Sequence, residues 1–140
     1  MMNRIFNFIL IIFICLSSFV GCSSSNLNNT DTNTIEIAYE QITQAEAKAI
    51  MDSEEPYVLL DVRTQEEYDA EHIEGAILIP DYEIETKAES ILKDKNALIL
   101  VYCRSGRRSK NAAIILTTLG YTNIKEFGGI IDWEYDIITK

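Results

Sequence analysis

The stretch "ALILVYCRSGRRSKNAAIILTTLG", residues 97–120, fixes the reading of the whole chain. Its first six residues are an unbroken apolar run of strand length, which suits a strand covered on both faces rather than one. Its last twelve carry apolar residues at helical spacing and finish on Gly120, the residue type that closes helices. Between them lie one cysteine, one glycine and the cations Arg104, Arg107 and Arg108, with Lys110 just beyond. A strand, a sharp loop and a helix in that order make half of a βαβ unit.

Working outward, the same alternation repeats. "YVLLDV" (57–62) is a second continuous apolar strand, and "AILIP" (76–80) a third. "IEIAY" (35–39) and "NIKEF" (123–127) complete five. Thr43 with Glu46 and Thr64 with Glu67 have capping-box spacing, so helices are predicted over the "TQAEAKAIMD" segment and from Thr64 to about Ala70. "YEIETKAESILKDK" places Ile84, Ala88, Ile91 and Leu92 on one helical face. Gly128-Gly129 is expected to lead into an amphipathic C-terminal helix containing Trp133. The fold class that follows is α/β, a parallel sheet of about five strands with helices on both faces. In such sheets ligands meet the carboxyl ends of strands, where Asp61 and Cys103 fall.

The amino-terminal part reads differently. Arg4 precedes the apolar run "IFNFILIIFICLSSFV", which Asn7 interrupts and serines end, so it is a secretion signal rather than a span of about 20 apolar residues. "FVGC" (19–22) resembles the lipobox of bacterial lipoproteins, with Phe19 in place of the usual aliphatic residue. That resemblance implies lipidation of Cys22 and anchoring to a membrane on the extracytoplasmic side of a bacterial envelope. "SSSNLNNTDTNT" (23–34) has no apolar period and reads as a tether. The expected organisation is a signal peptide over 1–21, lipidated Cys22 with its tether over 22–34, and one domain over 35–140.

Three cysteines then leave one thiol, Cys103, in the domain, because Cys15 lies in the signal and Cys22 takes the lipid. No disulfide can form within the domain. The chain carries a net charge of −10, which makes nucleic acid an unlikely partner, yet four cations sit within residues 104–110. The loop must turn around a helix N-terminus, with Gly106 free to take positive φ so that successive amides converge as an anion-binding nest. Helix dipole and arginines together favour thiolate over thiol. Cys103 is therefore read as a nucleophile acting on an anion. Arg104 and Arg108 are the cations expected to face that anion, while Arg107 and Lys110 are as well suited to solvent.

These residues bring a family into view. Cys103-Arg104-Ser105-Gly106-Arg107-Arg108, followed by Ser109, resembles the CRxGxR active loop of single-domain rhodaneses. Asp61, Val62, Arg63, Glu67, Tyr68, His72, Ile73, Gly75 and Ala76 match a second signature of that sulfurtransferase family, with Glu71 and Glu74 replacing its usual glycine and proline. The resemblance implies a rhodanese-like fold over residues 35–140 and a two-step reaction. Cys103 takes sulfur from a donor such as thiosulfate, is held as a persulfide by the loop amides from Arg104 to Ser109, and passes the sulfur to cyanide or a thiol.

Other residues receive structural roles. Asp61, Arg63 and Glu67 are read as a hydrogen-bonded network fixing a strand end, His72 as a turn residue, and Trp133 as core. One cysteine and one histidine make no metal site, and no dinucleotide-binding fingerprint is present, so no cofactor is implied. Two rivals stand beside the enzyme: an anchored sulfane-sulfur carrier or docking module without turnover, and a small phosphatase of the same fold. The phosphatase pattern needs six residues from cysteine to arginine, whereas Arg108 is the fifth after Cys103.

Overall fold

In the computed structural model, residues 39–140 are described; the signal, Cys22 and the tether lie outside the described residues, as does most of the strand expected over 35–39. The strands are β1 (Glu40–Gln41), β2 (Tyr57–Asp61), β3 (Glu71–His72), β4 (Ile77–Leu78), β5 (Leu98–Cys103), β6 (Ile124–Gly129) and β7 (Ile138–Thr139). The helices are α1 (Gln44–Met51), α2 (Gln65–Ala70), α3 (Ile84–Ile91) and α4 (Arg107–Thr118). Five strands form one parallel sheet in the order β1-β6-β5-β2-β4, so the most apolar strand, β5, is central.

Alternation along the central strands sorts the core into two layers. Ile99, Val101 and Cys103 point to one face, where Leu60 and Val62 meet Ile84 and Ala88 of α3 and Ala112, Ala113 and Leu116 of α4. Leu98, Leu100 and Tyr102 point to the other, packing with Leu59, Ala47 of α1, Phe127 and Ile130. Helices on both faces bury β5 completely, which is why its sequence shows no polar alternation.

Both capping boxes form: Thr43 Oγ1 accepts from the Glu46 amide and Thr64 Oγ1 from the Glu67 amide, with each glutamate returning a bond to the threonine amide. Helix α4 ends at Gly120 through a bond from the Tyr121 amide to the Leu116 carbonyl, 3.1 Å long.

The first described strand is Glu40–Gln41, which pairs with Lys125 and Glu126, while the 35–39 segment expected as a strand lies almost wholly outside the described residues. Two expectations are corrected. The third strand shrinks to Ile77–Leu78, because β4 is an edge paired only through Leu60 and Asp61. The C-terminal helix does not form. Ile130–Asp132 is a single 3-10 turn, Trp133 is extended, and Ile138 and His72, with Thr139 and Glu71, pair antiparallel in a second, two-stranded sheet. The Lys140 amide extends that pairing to the Ala70 carbonyl, so β3 satisfies backbone groups that a helix would have had to satisfy internally.

Candidate active site

Cys103 ends β5 and α4 starts four residues later, so the loop must reverse within Arg104, Ser105 and Gly106. Gly106 is the N-cap, with φ +92°, a left-handed conformation that side chains oppose. This turn aims the first amides of α4 inward. The Gly106 amide donates to Cys103 Sγ at 3.1 Å, and the Ser109 hydroxyl lies 3.5 Å from the same sulfur. Only 1% of Cys103 is exposed. Burial by itself pushes the thiol pKa up, but the Ser109 hydroxyl and the amides of Ser109, Ser105 and Gly106 outweigh it, and the net direction is down.

The second half of the site is a lattice of ion pairs. Arg63 is 2% exposed and grips Asp61 with Nε at 2.9 and 3.0 Å and Nη2 at 2.7 Å, while the Arg63 amide donates to Asp61 Oδ1 at 2.9 Å. Arg63 Nη2 also donates to the Glu71 carbonyl at 2.6 Å, which ties the end of β2 to β3. Glu67 does not join this pair. It takes both nitrogens of Arg108, at 2.7 and 2.8 Å, while holding the Thr64 amide at 3.0 Å. The Arg108 fork holds the Glu67 carboxyl down to about 2. Arg108 therefore stands toward Glu67 instead of free above the loop, so the sequence-based grouping of Glu67 with Asp61 and Arg63 gives way to a clamp from α2 onto α4. Arg104, Ser105, Arg107 and Lys110 are exposed.

Strand β6 supports the loop from behind. A Cβ on Gly129 would lie 2.2 Å from the Arg104 carbonyl oxygen and 2.4 Å from Ser105 Cα, so only glycine fits. The Ile131 amide donates to that same carbonyl at 3.2 Å. Between the pairs Val101–Glu126 and Cys103–Gly129 the register shifts, giving β6 one residue more than β5 and placing Glu126 beside the cysteine loop.

Glu126 is the residue that sequence reading passed over. It is 2% exposed, and its Oε1 accepts from the Ser109 hydroxyl at 2.5 Å and from the Gly128 amide at 2.9 Å. Strand alternation held the signal: in "NIKEF", Ile124 faces the core, so Glu126 two residues on must face it too.

His72 stacks on Tyr68 at 4.0 Å, with Nδ1 donating to the Tyr68 carbonyl at 2.9 Å. Trp133 packs on Phe127 and Tyr135, away from the loop. A cavity of about 250 Å³ lined by Arg63, Glu67, Ala70, Glu71, Arg104 and Ile131 opens beside the loop. Hollows of about 510 Å³ near edge strand β4 and about 410 Å³ around Trp133 contain none of the loop residues, whereas one of about 350 Å³ behind the loop is lined by Ser105, Gly106 and Lys110 together with Glu126. Chemistry rather than size therefore selects the site: a buried thiol, converging amides and an adjoining opening bordered by two arginines.

The rhodanese-like domain family model matches residues 43–136. The thiosulfate sulfurtransferase PspE of Escherichia coli is 42% identical over 73 residues, which are 52% of this chain and 70% of that protein. A putative sulfur carrier protein of Bacillus subtilis, YrkF, is 39% identical over 87 residues, 61% of this chain and 46% of that protein. Among solved structures, a rhodanese with anions from E. coli is 36% identical, with a TM-score of 0.57, over 61% of this chain and all of that one.

Proposed function

This chain belongs to the rhodanese-like family, whose relatives are sulfurtransferases and sulfur carriers, and we propose from that premise that it transfers sulfane sulfur through a persulfide on Cys103. In the first step the Cys103 thiolate attacks the outer sulfur of thiosulfate. The S–S bond of the donor breaks, its electron pair leaves with sulfite, and Cys–S–S⁻ remains. In the second, an acceptor such as cyanide attacks the terminal sulfur and regenerates the thiolate as thiocyanate leaves; a thiol is the corresponding cellular acceptor. Charge and atoms balance at each step without an external oxidant. The route is covalent catalysis, with ping-pong kinetics expected.

The observation that carries the proposal is the sulfur of Cys103 receiving the Gly106 amide at 3.1 Å inside a loop of converging N–H groups. Those donors favour a negative sulfur, first as thiolate and then one bond farther out as persulfide. Since a thiolate needs no proton removed, the fact that His72 is bonded to Tyr68 leaves no gap in the chemistry. Arg104 and Arg107, exposed and without ion-pair partners among the described residues, suit attraction of a dianion to an otherwise acidic protein. We further propose export and lipid anchoring through Cys22, which Cys22→Ser should release from the membrane fraction.

The test is an intact mass of the full chain in detergent after thiosulfate treatment, beside Cys103→Ser. A species heavier by one sulfur, dependent on Cys103 and discharged by cyanide as thiocyanate, supports the proposal; its absence from the unsubstituted chain overturns it. A carrier without turnover is the second reading, favoured by the match to YrkF. Slow discharge to every thiol acceptor, with persulfide intact, would select it.

A further inference from the structure

Ser109 has one hydroxyl proton and four acceptors within reach: Glu126 Oε1 at 2.5 Å, the Gly106 carbonyl at 3.0 Å, the Gly128 carbonyl at 3.4 Å and Cys103 Sγ at 3.5 Å. A hydroxyl can satisfy only one of them well at a time. The shortest bond goes to the carboxylate, so Glu126 competes for the hydroxyl and weakens the support it gives the sulfur at 3.5 Å. A buried carboxyl in this position is expensive to keep, and among the described residues the Ser109 hydroxyl and the Gly128 amide serve it.

We propose that Glu126 is a positioning residue for Cys103: acting through Ser109, it weakens the hydroxyl's hydrogen bond to the sulfur and so limits the thiolate population that the loop would otherwise produce. The inference rests on the reading of Cys103 as the nucleophile. Its chemical sense is a trade between quantity and strength. Each fall in thiol pKa makes more thiolate but a weaker nucleophile, and the best attacking thiol is one whose pKa lies near the ambient pH. The loop donors lower the thiol pKa against its burial, and Glu126 opposes part of that fall.

The other charges nearby do not do this job. Arg108 from α4 is bonded to Glu67 from α2, and Asp61 and Arg63 at the end of β2 are bonded to each other. Lys110 of α4 and Asp132 of the turn after β6 border the hollow behind the loop, together with Glu126. None of these bonds Ser109.

The experiment measures alkylation of Cys103 by iodoacetamide against pH in the full chain, followed on the Cys103 peptide so that the other cysteines do not contribute. It needs no sulfur donor, so it succeeds or fails independently of persulfide formation. Glu126→Leu removes the competing acceptor and is expected to lower the alkylation midpoint by about one pH unit, a roughly tenfold gain in thiolate below the midpoint. Because intrinsic nucleophilicity falls with pKa, the net gain in rate is about threefold at low pH, with a loss of about threefold above both midpoints. Crossing pH profiles are a signature that loosened packing would not produce. Glu126→Gln, which weakens the acceptor but keeps its shape, shifts the midpoint in the same direction by less, and it serves if the leucine variant does not fold. In a Ser109→Ala background the effect of either substitution should fall below half. An unmoved midpoint in folded Glu126→Gln, or an undiminished shift without Ser109, overturns the proposal.

Discussion

Replacing Gly129 with alanine tests whether the loop is held by contact with β6. Gly129 has φ −128°, an ordinary extended conformation, so alanine introduces no torsional strain and the perturbation is purely steric. The added Cβ would stand 2.2 Å from the Arg104 carbonyl oxygen, 2.4 Å from Ser105 Cα and 2.5 Å from the Arg104 carbonyl carbon. Ordinary contact requires the loop to retreat by roughly 1 Å. The atoms displaced are those that carry the Ser105 and Gly106 amides, whose bonds favour the Cys103 thiolate. Overpacking of this kind costs about 1–3 kcal/mol of stability, and misplacing reacting groups by about 1 Å costs on the order of 100-fold in rate. Single-turnover persulfide formation from thiosulfate, read by mass after rapid quenching, should therefore slow about 100-fold, while thermal unfolding registers the smaller cost in stability. Gly75→Ala is the control. Its φ of +79° opposes a side chain, yet nothing lies within 4 Å of the new Cβ, so about 1 kcal/mol is lost without displacing the loop. If Gly129→Ala forms persulfide within threefold of the parent while losing stability like Gly75→Ala, the contact with β6 does not set the loop geometry.

Asp61→Asn leaves Arg63 buried without its carboxylate and should cost about 3–5 kcal/mol, read from the urea midpoint; a cost under about 1 kcal/mol would show that the pair is not what fixes the end of β2. The Glu67 carboxyl, at about 2 in the folded chain against 4.5 for the free group, contributes stability that is present above pH 4.5 and is lost as the pH falls toward 2. Glu67→Gln should therefore flatten the loss of stability between pH 5 and 3, by about 1 kcal/mol once partial solvation of the pair is allowed for, and equal slopes for both proteins would refute the clamp. Arg104→Ala with Arg107→Ala should raise KM for thiosulfate and weaken its dependence on ionic strength, leaving the alkylation midpoint of Cys103 in place; a shifted midpoint would mean that these arginines act on the sulfur itself.

What could be read directly from the chain were features whose physics is local. The capping boxes at Thr43 and Thr64 need partners three residues away, and β2 and β5 announce double-sided burial in their own composition. The C-terminal segment failed for the opposite reason. Pairing of Ile138 with His72 joins two-residue strands far apart in sequence, and neither strand has a period long enough to signal itself. Glu67 illustrates the same limit within the site. Its capping role is local and legible, but its bond to Arg108, 41 residues away, depends on how α2 and α4 approach each other. Glu126 was legible in principle, since the alternation that places Ile124 inward also places Glu126 there. The usual expectation that glutamate faces water concealed it.

The clustered arginines after Cys103 invite an account in which full positive charge stabilises the thiolate, and the geometry redistributes that role. Arg108 spends its fork on Glu67, Arg63 is bound to Asp61, and Arg104 and Arg107 reach outward. What touches the sulfur is a set of dipoles: the amides of Ser105, Gly106 and Ser109 and a shared hydroxyl. Hydrogen bonds to a charged group contribute about 1.5–3 kcal/mol each, so several converging on one buried atom can offset its lost hydration where a single one would not. Dipoles fixed by the backbone also carry no counter-charge to exchange with the solvent, so in the proposed reaction they would serve a thiolate and then a persulfide as the charge moves outward by one bond. Arg104 and Arg107 are then left for what dipoles do poorly, acting at a distance on an incoming anion. Gly106 and Gly129 join the two halves of this arrangement: one turns the amides toward the sulfur, and the other lets β6 press them into place.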